Sequence, residues 1–137
     1  MSITLWCIFA AGLLHMVSKV PLALAMAREG GGYDNRHPRE QQARLSGWGR
    51  RAKAAHDNQI ESFPLFAAGA LVAHVAAQAS PTIDLLAGAY VAARLAYLFL
   101  YVADLAPLRS VIWAVGYGAS VALMCSPLWA GARVSGG

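Results

Sequence analysis

Four long stretches with almost no charge, at about residues 3–27, 55–78, 83–103 and 108–129, restrict what this chain can become. About 20 apolar residues wound as an α-helix match the hydrocarbon thickness of a bilayer. Inside that layer no water satisfies a peptide group, so a crossing segment must bond its own backbone as a helix. A water-soluble bundle of 137 residues needs a mostly polar outside, whereas 58% of this chain is hydrophobic and only 13% is charged. The reading is an all-α integral membrane protein, a four-helix bundle forming one domain over residues 1–137, with membrane lipid as its solvent.

Charge placement gives the orientation. Seven of the 11 Lys and Arg residues (Arg28, Arg36, Arg39, Arg44, Arg50, Arg51 and Lys53) fall in the loop at 28–54 and its edge. A basic run of this kind is also a nucleic-acid signature. Between two apolar spans it reads instead as a cytoplasmic loop, and no nucleic-acid partner is expected. Both termini and the turn at 79–82 then face the other side, and the turn at 104–108, with Arg109, returns to the cytoplasmic side. Ala23-Leu24-Ala25 resembles a signal-peptide cleavage site, but no basic segment precedes it and Lys19 interrupts the run, so an uncleaved span fits better. Cys7 and Cys125 lack metal-ligand spacing and read as small buried hydrophobes, with a disulfide as the minor alternative.

Between the spans the breakers are clear. Gly30-Gly31-Gly32 and Pro38 exclude a regular helix, and a helical pattern resumes near Arg39, with Leu45 and Trp48 at the membrane surface. Pro64 lies inside the second apolar block and predicts a kink. Ala79-Ser80-Pro81-Thr82 and Asp104-Leu105-Ala106-Pro107 form turns, and Gly131–Gly137 is a polar tail.

Ionisable residues inside spans are rare and usually face the bundle interior, which makes Lys19, Glu61, Arg94 and Arg109 candidates. Arg51, Asn58 and Glu61 are spaced seven and three apart, on one face of the second helix. Tyr90, Arg94, Tyr97 and Tyr101 form a similar stripe on the third. Counting back from the turn at roughly 1.5 Å per residue puts Glu61 level with Tyr97 and Tyr101, and Arg94 roughly 9 Å deeper. Two readings stay open: Glu61 neutralises Arg94 or Lys19 to fix packing, or these stripes form a ligand site. His15 and His74 read as packing residues, and Asp84 as a solvated residue at a helix start.

The segment Arg51-Ala52-Lys53-Ala54-Ala55-His56-Asp57-Asn58-Gln59-Ile60-Glu61-Ser62-Phe63-Pro64-Leu65-Phe66 resembles the second-span signature of the MAPEG family, membrane-associated proteins in eicosanoid and glutathione metabolism. Ala93-Arg94-Leu95-Ala96-Tyr97-Leu98-Phe99-Leu100-Tyr101 is similar to that family's third-helix motif, and Leu108-Arg109-Ser110 to the start of its fourth helix. The resemblance covers nearly the whole chain. It implies a homotrimer that takes glutathione as co-substrate between subunits and a lipophilic small-molecule substrate from the bilayer.

By that resemblance Arg51 meets a glutathione carboxylate, Glu61 the amine, and Asn58 adds a hydrogen bond. Tyr97 and Tyr101 line the peptide, Arg109 stabilises the thiolate as the catalytic residue, and Arg28 contacts the glycine carboxylate. One position departs from the signature. Ala54 stands where the second arginine belongs, and Lys53 points about 100° away on the helix. The functions in view are therefore a glutathione-dependent transferase or peroxidase and a non-catalytic lipid-binding or scaffold protein of the same fold. A small four-helix exporter is a third; it needs an embedded acid commonly found in the first span, where this chain has Lys19.

The orientation makes a direct prediction. A reporter that is active only in the cytoplasm is expected to be silent when fused after Gly137 and active when inserted in the 28–54 loop; the reverse pattern overturns it.

Overall fold

Helix ends in this chain follow its prolines and small polar residues. The computed structural model describes residues 1–76 and 80–130, and all regular structure among them is α-helical. Ser2 opens α1 (Ile3–Val17) by accepting a hydrogen bond from the Leu5 amide on its side chain at 3.3 Å. Ser80 does the same for α5 (Pro81–Val102), with Pro81 in the first turn, where a missing N–H costs nothing. Between them lie α2 (Lys19–Ala27), α3 (Pro38–Arg44) and α4 (Gly47–Ala76); α6 (Ala106–Met124) and α7 (Ser126–Ala130) complete the order. Ala77–Ala79 and the tail Gly131–Gly137 lie outside the described residues.

Three helical runs, Ile3–Ala27, Gly47–Ala76 and Pro81–Val102, are long and apolar enough to cross a membrane. The first is not one regular helix. It breaks at Ser18, because Pro21 has no N–H for the carbonyl of residue 17; the Ser18 hydroxyl turns back to the His15 carbonyl at 2.7 Å. The second begins at Gly47, eight residues before its apolar block, and continues through Pro64 as helix. Leu45 and Trp48, expected at the membrane surface, instead pack on Leu22 and Met26 as a small second core. The segment 108–129 is divided into α6 and α7 at Cys125, ahead of Pro127. Cys7 and Cys125 are both free thiols.

The main core joins α1, α4, α5 and α6. Phe66 stacks on Tyr90 with ring centroids 3.7 Å apart, among Ala11, Ala70, Ala87 and Leu123. Small residues let these backbones approach, which is how helices hold together in lipid. The tightest approach is at Gly69: a Cβ there would lie 2.8 Å from the Ser120 carbonyl oxygen and 3.0 Å from the Met124 amide nitrogen. No side chain fits between α4 and α6 at that point.

The register of α4 against α5 differs from the count along the chain. The Ser62 and Tyr90 hydroxyls bond at 3.0 Å, Arg94 Nε donates to Gln59 Oε1 at 2.8 Å, and Arg51 Nε donates to the Val102 carbonyl at 3.3 Å. Glu61 is thus level with the stretch between Tyr90 and Arg94, about two turns from Tyr97 and Tyr101. Equal counting from the turn fails because α4 overshoots the start of α5 by about a turn. Asp84, expected to be solvated, is half-buried and accepts a hydrogen bond from Thr4 Oγ1 of α1 at 2.9 Å. His74, expected in packing, is exposed and lies 3.4 Å from the Ser2 hydroxyl.

The loop before α3 is held by a single carboxylate. Asp34 Oδ1 accepts from the Arg36 and His37 amides at 2.8 and 2.9 Å, and Gln41 donates to the carbonyls of Met26 and Gly32. The two amides hold the Asp34 carboxyl below its ordinary value.

Two predictions follow from this packing and this loop. Gly69→Ala is expected to destabilise the protein by about 1–3 kcal/mol through overpacking, read by thermal denaturation in detergent. Gly88→Ala, where a Cβ meets nothing within 4 Å, should be neutral or stabilising. Because Asp34's pKa is lower folded than unfolded, its contribution is present above about pH 3.9 and is lost as pH falls through the folded value. Hydrogen exchange at the Arg36 and His37 amides, corrected for intrinsic rates, should accelerate in that acid window and be unprotected at neutral pH in Asp34→Ala.

Candidate functional site

The end of α5 organises one side of the site. Asp104 has φ 65°, the left-handed conformation in which glycine is usual, while the Asp104 amide bonds the Tyr101 carbonyl and the Leu105 amide bonds the Leu100 carbonyl. This double closure ends the helix and reverses the chain into α6. It also carries Asp104 to Arg51, whose guanidinium lies 3.7 Å from the carboxylate while its Nε holds the Val102 carbonyl. Arg51 therefore ties α4 to the end of α5.

Just past the reversal, Arg109 returns over the last turn of α5. Its guanidinium carbon is 4.1 Å from the Tyr101 ring centroid, and Tyr97 meets Tyr101 edge-on at 5.5 Å. Arg94 lies over the Tyr97 ring, its guanidinium carbon 4.2 Å from the centroid. Tyr97, Tyr101, Arg109, Ser110 and Trp113 line an open cavity of about 250 Å³. The expected grouping of Tyr97, Tyr101 and Arg109 is present in the structure.

Asn58 and Glu61 lie elsewhere. Together with Ser62, Leu65, Trp113, Tyr117 and Ser120 they line a second cavity of about 210 Å³ between α4 and α6. Glu61 is exposed, and among the described residues it forms no ion pair with Arg94 or Lys19, the two partners the sequence proposed. Arg94 is 2% exposed and is satisfied by Gln59 and the Tyr97 face instead. The Asn58 Oδ1 atom is buried without a hydrogen-bond partner among the described residues.

Trp113 lines both cavities, so the two share one wall along α6. Each is below the usual range of ligand clefts, roughly 300–1,000 Å³. Glu61 is at the first and Arg109 at the second; neither is in an ion pair among the described residues. One charge of each sign on either side of Trp113 suits a zwitterionic ligand that reaches both. The aromatic walls, with Trp113 and Tyr117 stacked at 5.2 Å, suit an apolar group beside it.

Arg28 lines neither cavity; its guanidinium is 5.4 Å from the Trp48 ring. Lys53 bonds Asp57 on the same helix and faces another cavity, as its angular offset from Ala54 requires. Gln59, Trp113 and Tyr117 were missed by the sequence reading. For the latter two a signal existed: Arg109, Trp113 and Tyr117 recur every four residues, one stripe of α6. Gln59 gave only the weak signal of an uncharged polar residue beside Asn58.

Comparison with curated proteins and with solved structures returns no significant match. A family model described as MAPEG family matches residues 3–129, nearly the whole of this chain. The all-helical architecture, the three membrane-capable runs and that match agree with the motifs carried by α4, α5 and α6. The chain belongs to the MAPEG family.

Proposed function

We propose that this protein is a membrane-bound, glutathione-dependent transferase or peroxidase acting on lipophilic electrophiles. In this reading α6 is the fourth span and the subunits assemble as a homotrimer. The observation that carries it is the place of Trp113 in both walls, beside Asn58 and Glu61 on one side and Tyr97, Tyr101 and Arg109 on the other. In this reading a bound peptide spans the two cavities as one trough. Family membership supports a glutathione-related activity.

Glutathione carries an amine, two carboxylates and a thiol, and the residues of one subunit supply a counterpart to the amine, one carboxylate and the thiol. Glu61 takes the ammonium, and the unpartnered Asn58 Oδ1 accepts one of its hydrogens. Arg51 takes a carboxylate in charge-assisted bonds, leaving its contact with Asp104. Arg109 stabilises the thiolate; a free thiol titrates near pH 8.5, and a close cation enlarges the nucleophilic fraction at neutral pH. In transfer, the thiolate forms a C–S bond to the electrophilic carbon as the leaving group departs with its electron pair. In peroxide reduction, the thiolate attacks the terminal peroxide oxygen, the O–O bond breaks and the alkoxide leaves, taking up a proton as the alcohol; a second glutathione thiolate then attacks the sulfenic sulfur, forming the disulfide and expelling hydroxide, which is protonated to water.

The exposed apolar wall of α6, with Val111, Val115 and Tyr117, is where a substrate dissolved in lipid would approach. A partner copy would cover part of the exposed apolar surface and bring its own first span, with Arg28, toward the trough. The second reading is a lipid-binding protein of the same fold without turnover. Ala54 favours it, because a half-buried methyl group stands in place of a carboxylate-binding arginine.

Thermal melting of the purified protein under rising glutathione separates the two, since a ligand of the native state must raise its stability. The expected result is a clear upward shift at millimolar glutathione and conjugation of a generic aryl halide. Arg109→Ala should keep most of the shift while lowering kcat/KM about 10²-fold, the scale of a lost electrostatic stabiliser. Absence of both shift and conjugation eliminates the enzyme reading.

A further inference from the structure

A second cavity, unconnected with the proposed chemistry, opens where the basic loop meets the membrane-capable helices. It measures about 620 Å³, and its walls include Lys19, Arg39, Lys53, His56, Asp57 and Ile60. We propose that it holds the anionic headgroup of a membrane phospholipid, with the acyl chains lying against the exposed apolar side of α1, α2 and α4.

Charge is the first argument. Asp57 is occupied by Lys53, and among the described residues Lys19 and Arg39 form no ion pair, so the cavity carries uncompensated positive charge. The trough described above has both signs and suits a zwitterion, whereas this cavity suits an anion. Lys19 is the more telling cation. It sits at the break between α1 and α2, eight residues before the helical run ends, and its long side chain reaches the level of α3 to line the cavity. A lysine inside an apolar run carries a desolvation cost unless a partner of opposite charge meets it.

The floor is built by hydrogen bonds. His56 is 8% exposed, and its Nδ1 lies 2.8 Å from Ser18 Oγ. The single Ser18 hydroxyl hydrogen goes to the His15 carbonyl, so His56 Nδ1 must donate to Ser18, and positive charge in the cavity comes from the cations and not from this ring. The break at Ser18 thus fixes the ring below the two cations.

The surroundings make the anion a lipid. Ile60 lines the cavity and is 43% exposed, one turn from His56 on the same face of α4. Met16, three residues before Lys19, is 68% exposed, with Val17 and Val20 beside it. A basic pocket above an apolar helix surface, at the membrane end that carries the loop, matches how anionic headgroups are recognised between spanning helices.

The test uses the purified full chain in uncharged detergent, titrated with a soluble short-chain phosphatidylglycerol and with phosphatidylcholine of the same chain length. Melting temperature is the readout. Phosphatidylglycerol is expected to stabilise clearly more than phosphatidylcholine, and each of Lys19→Gln and Arg39→Gln to weaken its apparent affinity about fivefold. Arg39 is on the exposed side of α3, so its variant decides the matter if Lys19→Gln fails to fold. Equal stabilisation by the two lipids, or unchanged phosphatidylglycerol affinity in Arg39→Gln, overturns the proposal. So does a full shift with inorganic phosphate alone, which marks a free-anion site. Displacement of the lipid by glutathione would assign the cavity to the thiol instead, and loss of glutathione binding with intact lipid preference would count only against the proposed enzyme reading.

Discussion

Arg94 is a permanent cation enclosed between α4 and α5 without an acid beside it, and the arrangement of the site depends on how it is accommodated. Removing a guanidinium from water is costly, and in a helix bundle only well-aimed groups offset that cost. Here they are the Gln59 carbonyl oxygen at 2.8 Å and the Tyr97 face at 4.2 Å. Both are neutral, so the charge is stabilised without being cancelled. Gln59 has one other polar atom, Nε2, which is buried with no partner among the described residues. That unmet donor is the local cost of keeping Arg94 in place. The contact sets the register of the two helices, and the register decides what Glu61 can reach. With Arg94 occupied by Gln59, Glu61 is left unneutralised and lies toward α6.

That outcome needs α6 close at hand, which is a matter of side-chain size. In lipid the hydrophobic effect does not press helices together, so contact area and polar bonds must do so. Gly69 lets the α4 backbone meet the α6 backbone near Ser120 and Met124, and Ala70, Ala73 and Ala119 continue the thin seam. Because the seam is thin, Trp113 and Tyr117 come within reach of Glu61 and Asn58 at one end and of Tyr97 and Arg109 at the other. The two cavities on either side of Trp113 follow from two close contacts, one polar at Arg94 and one steric at Gly69.

These causes also explain what the sequence disclosed. The helical character of the apolar blocks and the stripe Tyr90, Arg94, Tyr97 and Tyr101 on one helix depend on local periodicity, and three of the runs are long and apolar enough to cross a membrane. The grouping of Tyr97, Tyr101 and Arg109 was accessible because a short reversal joins their helices. The surroundings of Glu61 were not, because they depend on register between α4 and α5. Register is set by which side chains bond across the seam and not by the number of residues in a turn. The helix break at Ser18 was missed for a related reason. Pro21 signalled a weakened helix, but the hydrogen bond that stabilises the break goes to His15, while the histidine held above it is 38 residues away. Leu45 and Trp48 were expected at the membrane surface, and their packing partners were not legible. Their contact with Leu22 and Met26 needs α2 folded back along α4, which no local pattern reveals.

Ala54 bears on this architecture through Arg51. In the proposed glutathione reading, losing one arginine from the signature lowers the positive charge available to a carboxylate, and Arg51 is the cation left to meet it. Arg51 is partly engaged, but its contact with Asp104 is a long one, 3.7 Å, between side chains that keep 30% and 64% of their surface in contact with solvent. Pairs of that kind contribute about 0–1 kcal/mol. Exchanging Asp104 for an incoming carboxylate therefore costs little. The bond from Arg51 Nε to the Val102 carbonyl uses a different nitrogen from the one facing Asp104, so that exchange leaves the tie between α4 and α5 intact. The short reversal at Asp104 thus has two effects. It ends α5 so that Arg109 returns over Tyr101, and it holds Arg51 in position by an acid weak enough to be displaced.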